Sequence, residues 1–167
     1  MMAGSADGLR YHREDFEADG ALRDVCVLDA EPGDWQRMLD ALRSVPWPAV
    51  FTWALSEPAA DGAMLTAREL WGRLEGDPED SVSLAVQVRG IWFTCYFFDA
   101  DEIEFSFDPA DVVDMESFAP VCDFVRWLGD STRREVIVTM EGNDHSAMPW
   151  LLHYSGVPDR SKEPNLD

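Results

Sequence analysis

Lysine is nearly missing from this chain. Of 13 basic residues only Lys162 is a lysine, and the 13 stand against 33 acids for a formal net charge of −20. A surface of that sign repels phosphate backbones and anionic membranes and attracts basic partners over a Debye length, so direct nucleic-acid or membrane binding is not expected. Cysteine is scarce as well. Cys26, Cys95 and Cys122 form an odd set with apolar neighbours, without C-x-x-C and without a Cys/His pair at zinc spacing. They read as reduced, buried thiols of a cytoplasmic protein, and neither a disulfide framework nor a structural zinc site is expected. No apolar run reaches the ~20 residues of a membrane span. The first 20 residues carry Arg10, Arg13, Glu14, Asp15 and Glu17 without an apolar stretch, so no secretory leader is expected there. G-x-S-x-G, G-x-G-x-x-G and Walker patterns are missing, as are internal repeats, and no cofactor is expected.

What is present suits one well-filled domain. At 167 residues and 46% apolar content, roughly 70% of the unfolded surface can be buried. Residues 1–22 show no hydrophobic period and read as a loose lead-in. Residues 23–155 read as a single α+β domain, and 156–167 as a polar tail. The run 24–29 (Asp-Val-Cys-Val-Leu-Asp) suits a buried strand. Trp35, Met38, Leu39 and Leu42 recur at helical spacing before Pro46. Residues 48–55 read as a second strand, completing a strand-helix-strand opening. A loop holding Pro58, Asp61 and Gly62 leads to Thr66-Ala67-Arg68-Glu69, whose S/T-x-x-E form opens a short helix.

The central third is the most legible. Val82, Leu84, Val86 and Val88 alternate with polar or small residues, and so do Ile103, Phe105 and Phe107 with Glu102, Glu104 and Ser106. A two-residue turn at Arg89-Gly90 opposes Val86 to Phe93 and Leu84 to Cys95. A three-residue loop at 99–101 opposes Cys95 to Phe105 and Phe97 to Ile103. Both registers place the apolar residues on one face, so a three-stranded meander is expected over 82–107. Beyond it, Phe118, Val121, Val125 and Leu128 form a helical stripe led by Ser117, with Pro120 in its first turn. Strands follow at 135–140 and 150–154. The expected architecture is a mostly antiparallel sheet of five to six strands, with two longer helices and one short one packed on one face.

Function is sought on the meander's other face. Trp92, Tyr96 and Phe98 lie there among Ser, Gln and Glu, the composition of a protein-contacting surface with a charged rim. The competing structural reading is that the second helix, with Trp71, covers them. From Asp99 to Glu116 there are eight acids and no base, including Asp99, Asp101, Glu102, Glu104, Asp108 and Asp111. This strip either docks a cationic partner or is a solvated edge that discourages aggregation. It lacks the glycine and ligand spacing of an EF-hand, so no metal is expected. Glu141, Asp144 and His145 form the one acid/base-like cluster, more simply read as a hairpin loop. Cys122 near a helix N-terminus is the other group with potential chemistry.

In size, charge and composition, though in no sequence signature, the chain resembles the small acidic immunity proteins with which bacteria neutralise their own toxins. The arginine bias, with abundant Ala, Asp and Gly, points the same way, to a GC-rich bacterial genome. The resemblance implies a non-catalytic inhibitor of a basic protein such as a toxin, docking through the residues just named. The alternatives are a small enzyme or ligand-binding protein using the 141–145 loop, or an accessory or scaffolding subunit.

Overall fold

The computed structural model describes residues 8–55, 66–142, 145 and 149–156. Among them, seven strands form one antiparallel sheet: β1 Arg23–Val27, β2 Ala49–Trp53, β3 Val82–Val88, β4 Ile91–Cys95, β5 Ile103–Phe107, β6 Glu135–Met140 and β7 Leu152–Ser155. Their order is β2-β3-β4-β5-β1-β6-β7. Helices α1 (Pro32–Leu42), α2 (Ala67–Gly76) and α3 (Met115–Thr132) complete an α+β fold, and β1-α1-β2 is the expected strand-helix-strand opening. The sheet is larger than the five to six strands expected. Each of the seven coincides with a run that reads as a strand in the sequence, and the excess over five to six arises because both edge runs, β2 and the four-residue β7, pair into the one sheet.

The meander takes the expected register, with Val86 opposite Phe93 and Leu84 opposite Cys95. Thr94 pairs with Ser106, the register that opposes Cys95 to Phe105. The β4 ladder stops at Cys95, short of the expected Phe98, where Phe97 takes a left-handed backbone (φ 53°). The inner face carries Val82, Leu84, Val86, Phe93, Phe105 and Val138, all buried. Phe124 of α3 is its centrepiece, stacked on Phe93 at 4.1 Å and edge-on to Phe105 at 5.0 Å.

Local chemistry sets the helix starts. Thr66 Oγ1 accepts from the Glu69 backbone N–H at 3.1 Å, and the Glu31 N–H donates to Asp34 Oδ2 at 2.9 Å. The third helix is capped by Asp114, which accepts from the Ser117 N–H at 2.8 Å. It therefore begins earlier than the stripe suggested, and Pro120 falls beyond its first turn. Where α3 meets β7, Gly129 leaves room for the Tyr154 ring. A Cβ there would lie 2.7 Å from that ring.

Residues 8–22 are tied down although they show no period. Leu9 and Phe16 are buried, and Phe16 packs on Phe107 and Phe118. The buried Arg23 guanidinium donates to the carbonyls of Asp15 (2.8 Å), Glu17 (3.2 Å) and Leu22 (3.2 Å) and pairs with Asp19. A single arginine thereby satisfies carbonyls in and after the short 3-10 turn Arg13–Phe16.

Candidate functional site

Strand pairing builds the site. β1 runs between β5 and β6, with Asp24 opposite Ser106 and Thr139, and Cys26 opposite Glu104 and Ile137. Because side chains alternate along a strand, these six share the face turned away from the helices. His145, which lies between β6 and β7 in sequence, covers that face and is 4% exposed. His145 Nε2 lies 2.7 Å from Asp24 Oδ2, and Nδ1 is hydrogen-bonded to Glu102. The Ser106 hydroxyl donates to Asp24 Oδ1 at 2.8 Å. Thr139 Oγ1, fully buried across from Asp24, has no hydrogen-bond partner among the described residues.

The electrostatics follow from crowding. Burial pushes the Glu104 carboxyl up to about 7, helped by the Asp24 and Glu102 charges and opposed by His145. Burial alone would lower the His145 pKa. The hydrogen bond to Asp24 and the charges of Glu102, Asp24 and Glu104 outweigh it, and the net shift is upward. With carboxylates at both ring nitrogens, the protonated imidazole donates on both sides. Burial also drives the Cys26 thiol well upward, with Glu102, Glu104 and Asp24 adding to it, so it is no nucleophile. Asp24, Glu104 and His145 each offer a donor atom within 4.8 Å of one another, as do Cys26, Glu102 and His145. These are the residues that could hold a metal ion.

Beside this closed cluster the same face is open. Trp92, Tyr96 and Phe98 are 43%, 49% and 83% exposed. Tyr96 and Phe98 stack at 5.5 Å. Trp71 is not their cover: it packs on Trp35 at 5.2 Å and on Phe97 at 6.0 Å, on the helix side of the sheet. A cavity of about 20 Å³ lies between Tyr96, Phe98, Glu102, Glu104 and Ser106, room for one water.

The acidic strip divides into three. Glu102 and Glu104 turn inward to the His145 cluster. Asp108 caps a short turn by accepting from the Ala110 N–H at 2.9 Å. Asp99, Asp101 and Asp111 are exposed, Asp99 accepting from the Asp101 N–H at 3.0 Å. Of the 141–145 loop, Glu141 is exposed, His145 is buried, and Asp144 lies outside the described residues. Cys122 is buried beyond the first turn of α3, where the helix dipole no longer acts strongly on a thiol. Sequence reasoning missed Asp24, Cys26 and Thr139. The available signal was the matching parity of Asp24 with Cys26 and of Glu104 with Ser106, polar positions on strands whose other face is apolar.

Comparison with protein families, with curated proteins and with solved structures returns no match to this chain. No described helix is long and apolar enough to cross a membrane.

Proposed function

We propose that this chain is a non-catalytic acidic binding protein that docks a basic protein partner, as an immunity or inhibitor protein does with a toxin. The observation that carries the reading is the stacked Tyr96–Phe98 pair just beyond β4, with Trp92 on that strand, exposed on the helix-free face beside the exposed acids Asp99 and Asp101. Rigid aromatics provide contact area at small entropic cost, and flanking acids steer a cationic surface onto them and pair with its arginines or lysines. Glu102 and Glu104 support the strand end from within rather than reaching outward, and Asp108 and Asp111 add only to the long-range field of the acidic surface.

The test is affinity capture from the source organism at low and moderate salt, followed by quantitative binding of the identified partner. A basic partner is expected, with association slowing as salt rises. Phe98→Ala and Tyr96→Ala should each cost about 1–3 kcal/mol of affinity. Asp99→Lys with Asp101→Lys should slow association and flatten its salt dependence. A partner that binds all three variants like the wild type overturns the site.

The reading of the 141–145 loop as an enzymatic or ligand site has one observation in its favour, the burial of His145 against carboxylates. However, the adjoining cavity is too small for an organic substrate. The accessory-subunit reading uses the same aromatic patch and differs only in the partner captured.

A further inference from the structure

We propose that Asp24, Glu104 and His145 form a binding site for one divalent first-row transition-metal ion, of the zinc or manganese class, seated at His145 Nε2. Four independent features converge on it. The donors are one imidazole nitrogen and two carboxylates, the mixed N/O set such ions take, and they already lie within 4.8 Å of one another. Metal–ligand bonds of ~2.0–2.2 Å set donor atoms roughly 3.4 Å apart, so Asp24 would swing out from its 2.7 Å hydrogen bond as the ion replaces the Nε2 proton and Glu104 would swing in, each within the reach of side-chain rotation.

The outer shell of such a site is also in place. A metal-bound histidine donates its second ring N–H to a carboxylate, and Nδ1 faces Glu102. A ligating carboxylate is itself held by a hydrogen bond, and Asp24 Oδ1 accepts from the Ser106 hydroxyl at 2.8 Å. Thr139 supplies a separate indication. Its buried hydroxyl, on the same face directly across from Asp24, lacks any partner among the described residues, and an ion or its bound water would satisfy it.

Charge balance is the fourth feature. Asp24, Glu102 and Glu104 surround a single imidazole, and no arginine or lysine among the described residues pairs with any of them. Arg23, adjacent in sequence, points to the opposite face and is occupied by Asp19 and backbone carbonyls. A divalent cation neutralises what the protein leaves uncompensated. The expectation that no metal binds rests on local Cys/His spacing and on the missing EF-hand pattern, and this set is drawn from residues 24, 104 and 145, where local spacing carries no information.

The experiment uses the full chain, stripped with chelator and titrated with Zn²⁺ by calorimetry at about 0.3 M salt, which screens adventitious binding to the acidic surface. One ion per chain is expected, not displaced by equimolar Mg²⁺ or Ca²⁺. Asp24→Asn and Glu104→Gln should each weaken binding at least about tenfold, Glu102→Gln about ten- to a hundredfold, and Cys26→Ser not at all. Co²⁺ loading of the wild type reads the donor set without a variant: visible bands without thiolate charge transfer are expected. Absence of stoichiometric binding, binding unchanged in the Asp24→Asn and Glu104→Gln proteins, or a thiolate band lost in Cys26→Ser would each overturn the assignment.

Discussion

The face of the sheet turned away from the helices is treated in two opposite ways along its width. Over β5, β1 and β6 it holds Asp24, Cys26 and Thr139, buried with His145, and Glu104 and Ser106, half-buried beside them. Over β3 and β4 it holds Gln87, Trp92, Thr94 and Tyr96, and among the described residues no element of the chain lies on them. The polar half is therefore sealed and the aromatic half open, the reverse of what transfer free energies alone would dictate. β1 is buried along its whole length, whereas β3 and β4 alternate. What distinguishes the halves is connectivity. The β6–β7 connection can reach β1, two strands from β7, but β4 lies further across the sheet. A buried polar half that converges on one imidazole is a site for something small. An open aromatic half is a site for something large.

The sharpest way to break this comparison is to remove the imidazole. His145→Ala leaves the buried Asp24 and the half-buried Glu102 without their cationic partner, and should cost about 3 kcal/mol in urea unfolding at pH 6. A loss below about 1 kcal/mol would mean the closed half is not held by that cluster.

Asp34 separates burial from the company a carboxylate keeps. It is fully buried like Asp24, yet it sits between Arg37 and Arg134, the latter at 3.1 Å. Burial pushes its pKa up, but the Glu31 N–H, Arg134 and Arg37 outweigh this and hold it below the ordinary carboxylate value, opposite to Glu104. A depressed pKa contributes stability above the unfolded value of about 3.9 that is lost as pH falls through the folded value. Asp34→Asn should thus be destabilised by about 2 kcal/mol at pH 7, with the gap to wild type shrinking below about pH 4. A gap that persists at pH 2 would assign Asp34's role to shape rather than charge.

Thr139→Val exchanges an unpartnered buried hydroxyl for a methyl group of the same shape and should stabilise the metal-free protein by about 1 kcal/mol. Destabilisation would reveal a partner for that hydroxyl. The smallest effects belong to the open half. Tyr96→Ser and Phe98→Ser should each shift the unfolding free energy by no more than about 0.5 kcal/mol while impairing partner binding. A large loss of stability would place them in a packing role instead.

Much of the fold was readable because periodicity reports which face of an element is buried. Val82 to Val88, Phe105 and the stripe Phe118, Val121, Val125 and Leu128 all lie where alternation or helical spacing put them, and Thr66 caps its helix as the capping pattern required. Boundaries were less readable where a cap or a backbone reversal decides them, as Asp114 does for α3 and Phe97 for β4. The site was barely readable. The exposed aromatics could be named, since a bulky residue at the polar phase of a strand stands out. Asp24 reads in sequence as the charged end of the 24–29 run, and nothing there shows that its carboxylate is buried on the second face.

The sequence by itself determined the class of fold, the meander register, the helix faces and the acidity, because each is a property of neighbours along the chain. Only the tertiary structure decided that β1 lies between β5 and β6, and hence that residues 24, 102, 104 and 145 meet. Strand order depends on which distant segments close loops onto one another, and a period-2 pattern says which way a side chain points without saying what it will face.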